Sequence, residues 1–258
     1  MYEIVIVIAS FNRRKLIQQT IESIQKNSVM DIKIVVVDNS KNTETPEYLE
    51  SLKNIIYYRF PKLDEDYEYA EHIFIDNKTG RGFSANTEES PYWNHRMTVG
   101  KCYNQGSLLA PPSKYILFVQ NDMYFLPGWD KAMTNAFKEY EDLAIVSGYA
   151  GGSGTDRGNV YDHYKVQDVG LVAGSSLMFK RKEWDELGYF PDYNEDMWIS
   201  YEVKGGWNKK LGLIYPYCIV HCGYTSTLVG GAEVERTKTG DWATVEAMMK
   251  EYPNIIYE

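Results

Sequence analysis

The sequence predicts an α/β domain with a central, mostly parallel sheet flanked by helices. Three observations point there. Ile4 to Ala9 is apolar throughout, without alternation, as in a strand buried on both faces. Leu16, Ile17, Ile21 and Ile24 follow at helical spacing. A second apolar run, Ile32 to Val37, closes the unit. Strand, helix and strand within about 35 residues make a βαβ unit, with parallel strands and a right-handed crossover.

The remaining elements follow in order. Pro46 stands in the first turn of a helix expected over Thr45 to Leu52, and Ile55 to Tyr58 is a short third strand. From Lys62 to Asn94 the periodicity is lost among acids, Asn77, Gly80, Gly82 and Asn86, with one apolar patch at Ile73-Phe74-Ile75. A stretch of that length is either disordered or a functional loop. Thr98 to Leu109 reads as a helix and Lys114 to Val119 as the fourth strand. Pro127-Gly128-Trp129 is a turn, Trp129 to Tyr140 a helix and Leu143 to Ser147 a strand. The glycine-rich stretch Gly148 to Gly158 lacks a Walker lysine-serine pair and a following helix, so a flexible loop competes with a phosphate cradle. Leu171 to Lys180 is expected as a strand, Lys182 to Leu187 and Trp198 to Gly205 as helices, and Leu213 to Val220 as the last strand. Asp241 can cap a terminal helix whose apolar positions are Trp242, Val245, Met248 and Met249.

Composition narrows the function. A chain of 258 residues suffices for one large domain or two fused halves, here divided at about residue 125. A formal charge of −9 argues against a surface built around a nucleic acid backbone, though it leaves room for a local basic groove. The 22 tyrosines and 6 tryptophans suit stacking on sugars or bases, but they also fill cores. Cys102, Cys218 and Cys222 are too few and too irregular for a disulfide framework, which favours a reducing compartment. Cys218 and Cys222 flank His221, but no second Cys/His pair at finger spacing accompanies them. There is no signal-peptide pattern at Met1-Tyr2-Glu3-Ile4 and no long apolar run, so a soluble, cytoplasmic protein is expected.

Two buried strands end abruptly in acids: Val36-Val37-Asp38-Asn39-Ser40 and Phe118-Val119-Gln120-Asn121-Asp122. In open α/β sheets ligands bind at the carboxyl ends of strands. Asp38 there can accept a hydrogen bond from a base or ribose beneath Phe11, or simply serve a turn. Asp122 can hold a hard cation with a diphosphate, or again serve a turn. His221 ends the last strand, as a metal or phosphate ligand or a structural histidine. If its strand runs parallel beside that of Asp122, both reach one edge. Glu195-Asp196 can supply a general base or cap a helix. Arg13, Arg14 and Lys15 sit at a helix N-terminus, where cations are disfavoured, and solvation alone would explain them.

The ordered series of these motifs resembles glycosyltransferase family 2, with its GT-A (Rossmann-like) fold. Val5 to Arg13 is similar to the family's opening strand and its Thr-Tyr-Asn-Arg segment. Val36 to Ser40 resembles its second-strand acid. Asn104-Gln105-Gly106 with Tyr115 to Asp122 resembles its Asn-x-Gly helix and Asp-x-Asp equivalent, and Pro127-Gly128-Trp129 follows. Ala173 to Arg181, Leu187-Gly188-Tyr189-Phe190, Glu195-Asp196 and His221 are similar to its acceptor half. The resemblance implies a nucleotide-sugar donor (UDP-, GDP- or dTDP-linked), Mn²⁺ or Mg²⁺, and inversion at the anomeric carbon. It implies donor contacts at Ala9, Phe11, Arg13, Asp38, Asn104, Asn121 and Asp122, and metal ligands at Asp122 and His221. Asp196 would be the base, assisted by Glu195. Residues 1–125 would bind the donor and 126–258 the acceptor, whether a surface glycan, a lipid-linked sugar or a modified nucleic acid base. Gln120-Asn121-Asp122 carries one acid where many members have more, and residues 62–94 have no family counterpart. A nucleotidyltransferase would want a basic glycine-rich loop where Ser10-Phe11-Asn12 stands. A sugar-binding module without activity would not need Asp38, Asp122, Asp196 and His221 together.

Overall fold

The computed structural model describes residues 1–60, 99–149, 165–191, 195–215, 217–222 and 254–256, and the backbone alone at 73–75, 82–84, 226–229 and 232–235. The side chains of Glu195 and Met197 lie outside the described residues. Strand β1 (Tyr2–Ser10) leads through α1 (Arg14–Asn27) to β2 (Ile32–Asp38), then α2 (Glu44–Ser51) and β3 (Ile55–Arg59). Two short strands, β4 (Ile73–Ile75) and β5 (Gly82–Ser84), pair antiparallel. Then come α3 (Val99–Leu109), β6 (Ser113–Gln120), β7 (Met123–Phe125), α4 (Trp129–Glu139) and β8 (Leu143–Ser147). The second half contributes β9 (Lys165–Asp168), β10 (Ser176–Lys180), α5 (Arg181–Leu187), α6 (Glu195–Tyr201), a π turn (Glu202–Gly206), β11 (Lys210–Tyr215), β12 (Ile219–His221), β13 (Ser226–Val229) and β14 (Ala232–Glu235).

Among the described residues the central sheet has the order β3-β2-β1-β6-β10-β8-β11-β9. The first four strands are parallel, as the βαβ reading requires. β10 then runs antiparallel to both β6 and β8, β8 and β11 are parallel, and β9 closes the edge antiparallel. Parallel pairs thus outnumber antiparallel ones, and the architecture is the expected GT-A arrangement of a large sheet flanked by helices.

The uninterrupted apolar runs make sense because the sheet is covered on both sides. Ile4, Ile6, Ile8, Ile34 and Val36 face α1 and α4, burying Ile17, Ile21, Met133 and Phe137 with them. Val5, Val7, Val35 and Val37 face the opposite layer, with Cys102 and Tyr103 of α3, Trp184 of α5 and Ile199 of α6. In that layer Phe118 meets Trp184 at 4.5 Å, Phe190 at 4.9 Å and Tyr103 at 5.2 Å between ring centroids, so several of the aromatics are core residues. Gly106 brings α3 down on the sheet: a Cβ there would lie 2.2 Å from Val7 Cγ1.

Several boundaries differ from expectation. The run Leu213 to Val220 is not one strand but β11 and β12, which belong to different sheets; Pro216, which has no N–H to give a ladder, stands between them. Strand β10 begins at Ser176 rather than Leu171, because residues 173–175 turn over the end of β6, where Gln120 N–H donates to the Ser175 carbonyl. Helix α6 starts at Glu195, three residues earlier than its apolar pattern, and ends in the π turn. The strands β7 and β9 had no signal, being short in one case and polar in the other. The glycine-rich stretch beyond Tyr149 and the expected terminal helix lie outside the described residues, as does most of 62–94. Among the described residues no helix is long and apolar enough to cross a membrane.

Candidate active site

The loop between β1 and α1 is the keystone of the carboxyl edge. Asn12 and Arg13 both adopt the left-handed conformation, at φ 52° and φ 55°, a cost non-glycine residues rarely bear outside functional loops. Asn12 has two uses there. Its amide N–H donates to Ser40 Oγ at 2.7 Å, and its side-chain oxygen accepts from the Lys41 and Asn42 N–H groups at 3.0 and 3.3 Å. It therefore welds the loops after β1 and β2 together. From the other side, Asn121 Nδ2 donates to the carbonyls of Phe11 and Asn12, both at 3.2 Å. Ala9, the penultimate residue of β1, is buried between Val37 and Gln120, and Phe11 is half-buried beyond it.

Asp38 ends β2 as expected, but it is fully buried. Oδ1 accepts from the Ser40 N–H and hydroxyl, and Oδ2 accepts from the Tyr57 hydroxyl at 3.2 Å. The carboxylate thus shapes the loop, whatever else it touches. Burial, and then Asp38 itself, push the Tyr57 hydroxyl well above the usual tyrosine range, so Tyr57 stays a donor.

Asp122 is the centre of the site. It is 6% exposed, and Oδ2 receives Arg13 Nη1 at 2.9 Å and faces His221 Nε2 at 3.2 Å. Oδ1 is buried with no hydrogen-bond partner. Burial raises the affinity of Asp122 for a proton, but His221 and Arg13 outweigh it and hold the carboxyl below its usual range. Asp122 and His221 do meet, yet not on parallel neighbours. β12 runs antiparallel to β7 with His221 opposite Met123, and the Cys222 N–H donates to the Asp122 carbonyl at 2.7 Å. A separate two-stranded ribbon, closed after the chain leaves the main sheet, makes the encounter. Arg13 is likewise no solvated terminus, since it is ion-paired. Arg14 lies 3.5 Å from the Tyr48 ring centre in a cation–π contact.

In the second half of the chain, Asp196, the second residue of α6, accepts from the Gly174 N–H at 3.4 Å. The buried Tyr103 hydroxyl in turn donates to the Gly174 carbonyl at 3.0 Å, and Ser175 beside it meets the end of β6. Asp196 therefore stands on the turn that covers the strand leading to Asp122. Glu195 lies in α6, its side chain outside the described residues. Asn104 does not reach out from α3. Its amide donates to the Phe190 carbonyl and accepts from the Phe190 N–H, so it is a bracket between the halves.

Among the described residues no cluster of three or more His, Cys, Asp and Glu stands ready to hold a metal. The orphaned Asp122 Oδ1 and the imidazole of His221 offer an oxygen and a nitrogen donor. That set fits a divalent ion that takes its remaining ligands from phosphate and water. Sequence reasoning missed Asn12, Ser40 and Tyr57 as site-shaping residues. Asn before a helix, prone to positive φ, and Ser two residues after Asp were the signals for the first two. Tyr57 left none.

An open α/β sheet of mixed direction, flanked by helices and with polar loops gathered at the carboxyl edge of its parallel half, is the GT-A arrangement. Residues 5–81 match the model of the family described as Glycosyl transferase family 2, which bears out the resemblance to that family where Val5 to Arg13 and Val36 to Ser40 carry it. Asp122, Asp196 and His221 lie beyond the matched residues. The fold is similar to that in the crystal structure of S. aureus TarS 1-349. The two share 13% sequence identity at a TM-score of 0.53, over 84% of this chain and 59% of that one. The chain thus spans less than two thirds of that structure's length. No curated protein sequence matches the chain.

Proposed function

We propose that the protein is an inverting glycosyltransferase that moves a sugar from a nucleoside-diphosphate donor to an acceptor hydroxyl. The observation that carries this reading is Asp122, a buried carboxylate with one unpartnered oxygen, set between Arg13 and His221 at the carboxyl edge of a sheet whose first strands match the family 2 model. The loops after β1 and β2, fixed by Asn12, Ser40 and Asp38, would seat the nucleoside, with Phe11 beside it. Arg13 would meet the diphosphate. Asp122 and His221 would hold Mn²⁺ or Mg²⁺, which when bound offsets the charge that develops on the leaving diphosphate. The acceptor hydroxyl attacks the anomeric carbon from the face opposite the leaving group. Asp196 takes its proton as the new C–O bond forms and the bond to the diphosphate oxygen breaks. Asp196 is favoured for this by its place on the turn that covers β6. A reducing, cytoplasmic setting is supported by the three cysteines, which are all buried.

The test is a thermal-shift and hydrolysis screen of UDP-, GDP- and dTDP-sugars with and without Mn²⁺. A stabilising nucleotide with metal-dependent sugar release is the expected result, since a ligand that binds the native state raises its melting temperature. No shift with any donor, or full hydrolysis in excess EDTA, counts against the donor and the metal assignments respectively.

A further inference from the structure

The carboxylate proposed to hold the metal already has a cation on it. Arg13 Nη1 lies 2.9 Å from Asp122 Oδ2, and His221 Nε2 approaches that same oxygen at 3.2 Å. Both partners crowd one oxygen and leave Oδ1 bare. A divalent ion on Asp122 would face the guanidinium across a shared carboxylate, in a site with little water to screen them.

The backbones of the pair cannot relieve this. Asn12 and Arg13 are locked in left-handed conformations, and Asn121, next to Asp122, grips the carbonyls of Phe11 and Asn12. The Asp122 carbonyl is held by Cys222. The Arg13 side chain is the less buried member of the pair, at 22% exposure against 7% for that of Asp122, so of the two it is the guanidinium that an incoming anion meets first. A diphosphate would give that fork a better-matched acceptor.

Resting on the glycosyltransferase reading, we propose that Arg13 is a displaceable counter-cation. It neutralises Asp122 in the donor-free protein and transfers to the donor's diphosphate as a divalent ion takes the carboxylate. Metal and donor then bind as one coupled event. Each raises the affinity for the other, because linkage is reciprocal. The free protein has little use for metal alone.

The experiment titrates Mn²⁺ into wild-type protein, Arg13→Gln and Arg13→Lys, following free Mn²⁺ by electron paramagnetic resonance. Each titration is run alone and with UDP, GDP or dTDP. Wild type is expected to bind Mn²⁺ weakly alone and at least about fivefold more tightly with its nucleotide. Arg13→Gln is expected to bind Mn²⁺ alone at least about fivefold more tightly than wild type, with the nucleotide's effect reduced. Arg13→Lys, which keeps the charge, is expected to stay near wild type. A structural role for Arg13 would not raise metal affinity on its loss. If Arg13→Gln binds Mn²⁺ no better than wild type, or wild type binds Mn²⁺ equally with and without nucleotide, the counter-cation role is overturned. Should Arg13→Gln fail to fold, Arg13→Met, which removes the charge and keeps the length of the stem, is titrated in its place with the same two outcomes. A wild-type protein that binds no nucleotide with or without Mn²⁺ would instead overturn the glycosyltransferase reading beneath it.

Discussion

Asn104 and Phe190, 86 residues apart, are joined by two reciprocal hydrogen bonds, 2.8 Å from the Asn104 amide to the Phe190 carbonyl and 2.7 Å from the Phe190 N–H back to Asn104 Oδ1. A side-chain amide here imitates one rung of a sheet. It fastens α3 to the segment leading into α6. Asn104→Ala would leave both main-chain groups of a residue 1% exposed without partners. The expected loss is about 1–3 kcal/mol, read by denaturant melts, with slower turnover because Asp196 follows on that segment. An unchanged midpoint would show that the bracket carries no strain.

Asp196→Asn keeps an oxygen for the Gly174 N–H and nearly the same shape. Stability should hold within about 1 kcal/mol. If Asp196 is the base, turnover falls at least about 100-fold while donor affinity, by calorimetry, is unchanged. Near wild-type turnover would move the role to Glu195 or Asp192.

The thiols offer a test of packing that needs no substrate. Cys102, Cys218 and Cys222 are all buried. Burial, aided by Asp38, pushes the Cys102 thiol up to about 12, and burial raises Cys218 further. Because the thiolate is the reactive form, native protein at pH 8 should be silent to a disulfide reagent and should react at all three positions once unfolded. A thiol that titrates quickly in the native state would contradict the packing around it.

Gly106 tests the approach of α3 to the sheet. The Cβ of Gly106→Ala would fall 2.2 Å from Val7 Cγ1 and 3.2 Å from Val37 Cγ2. Both neighbours are pinned within β1 and β2, so the helix must lift. The expected destabilisation is about 1–3 kcal/mol in thermal or denaturant unfolding. A neutral substitution would mean that α3 rides higher than described.

The parallel half of the sheet was legible because burial on both faces erases alternation, and Ile4 to Ala9 and Ile32 to Val37 carry that mark plainly. The separation of β11 from β12 was harder. Both are apolar, and only Pro216 marks the seam. In the site, Asp122 and His221 announced themselves as polar residues ending apolar runs. The ion pair of Asp122 with Arg13 did not, because a contact across 109 positions leaves no periodic trace. The same holds for Tyr57 on Asp38, whose hydroxyl looks from sequence like one more aromatic in a strand.

Strand β10 has a consequence for how the chain is made. It inserts between β6 and β8, so until it arrives one side of β6 is a bare row of amides and carbonyls flanked by Leu117 and Phe118. On a ribosome adding about 5–20 residues per second, the roughly 60 residues from Gln120 to Lys180 keep that edge open for about 3–12 s. An unpaired, flat, apolar edge is a template for another chain. A fragment ending near residue 125, expressed by itself, would therefore carry the nascent chain's vulnerability permanently, and should be recovered as aggregate rather than as a soluble fragment.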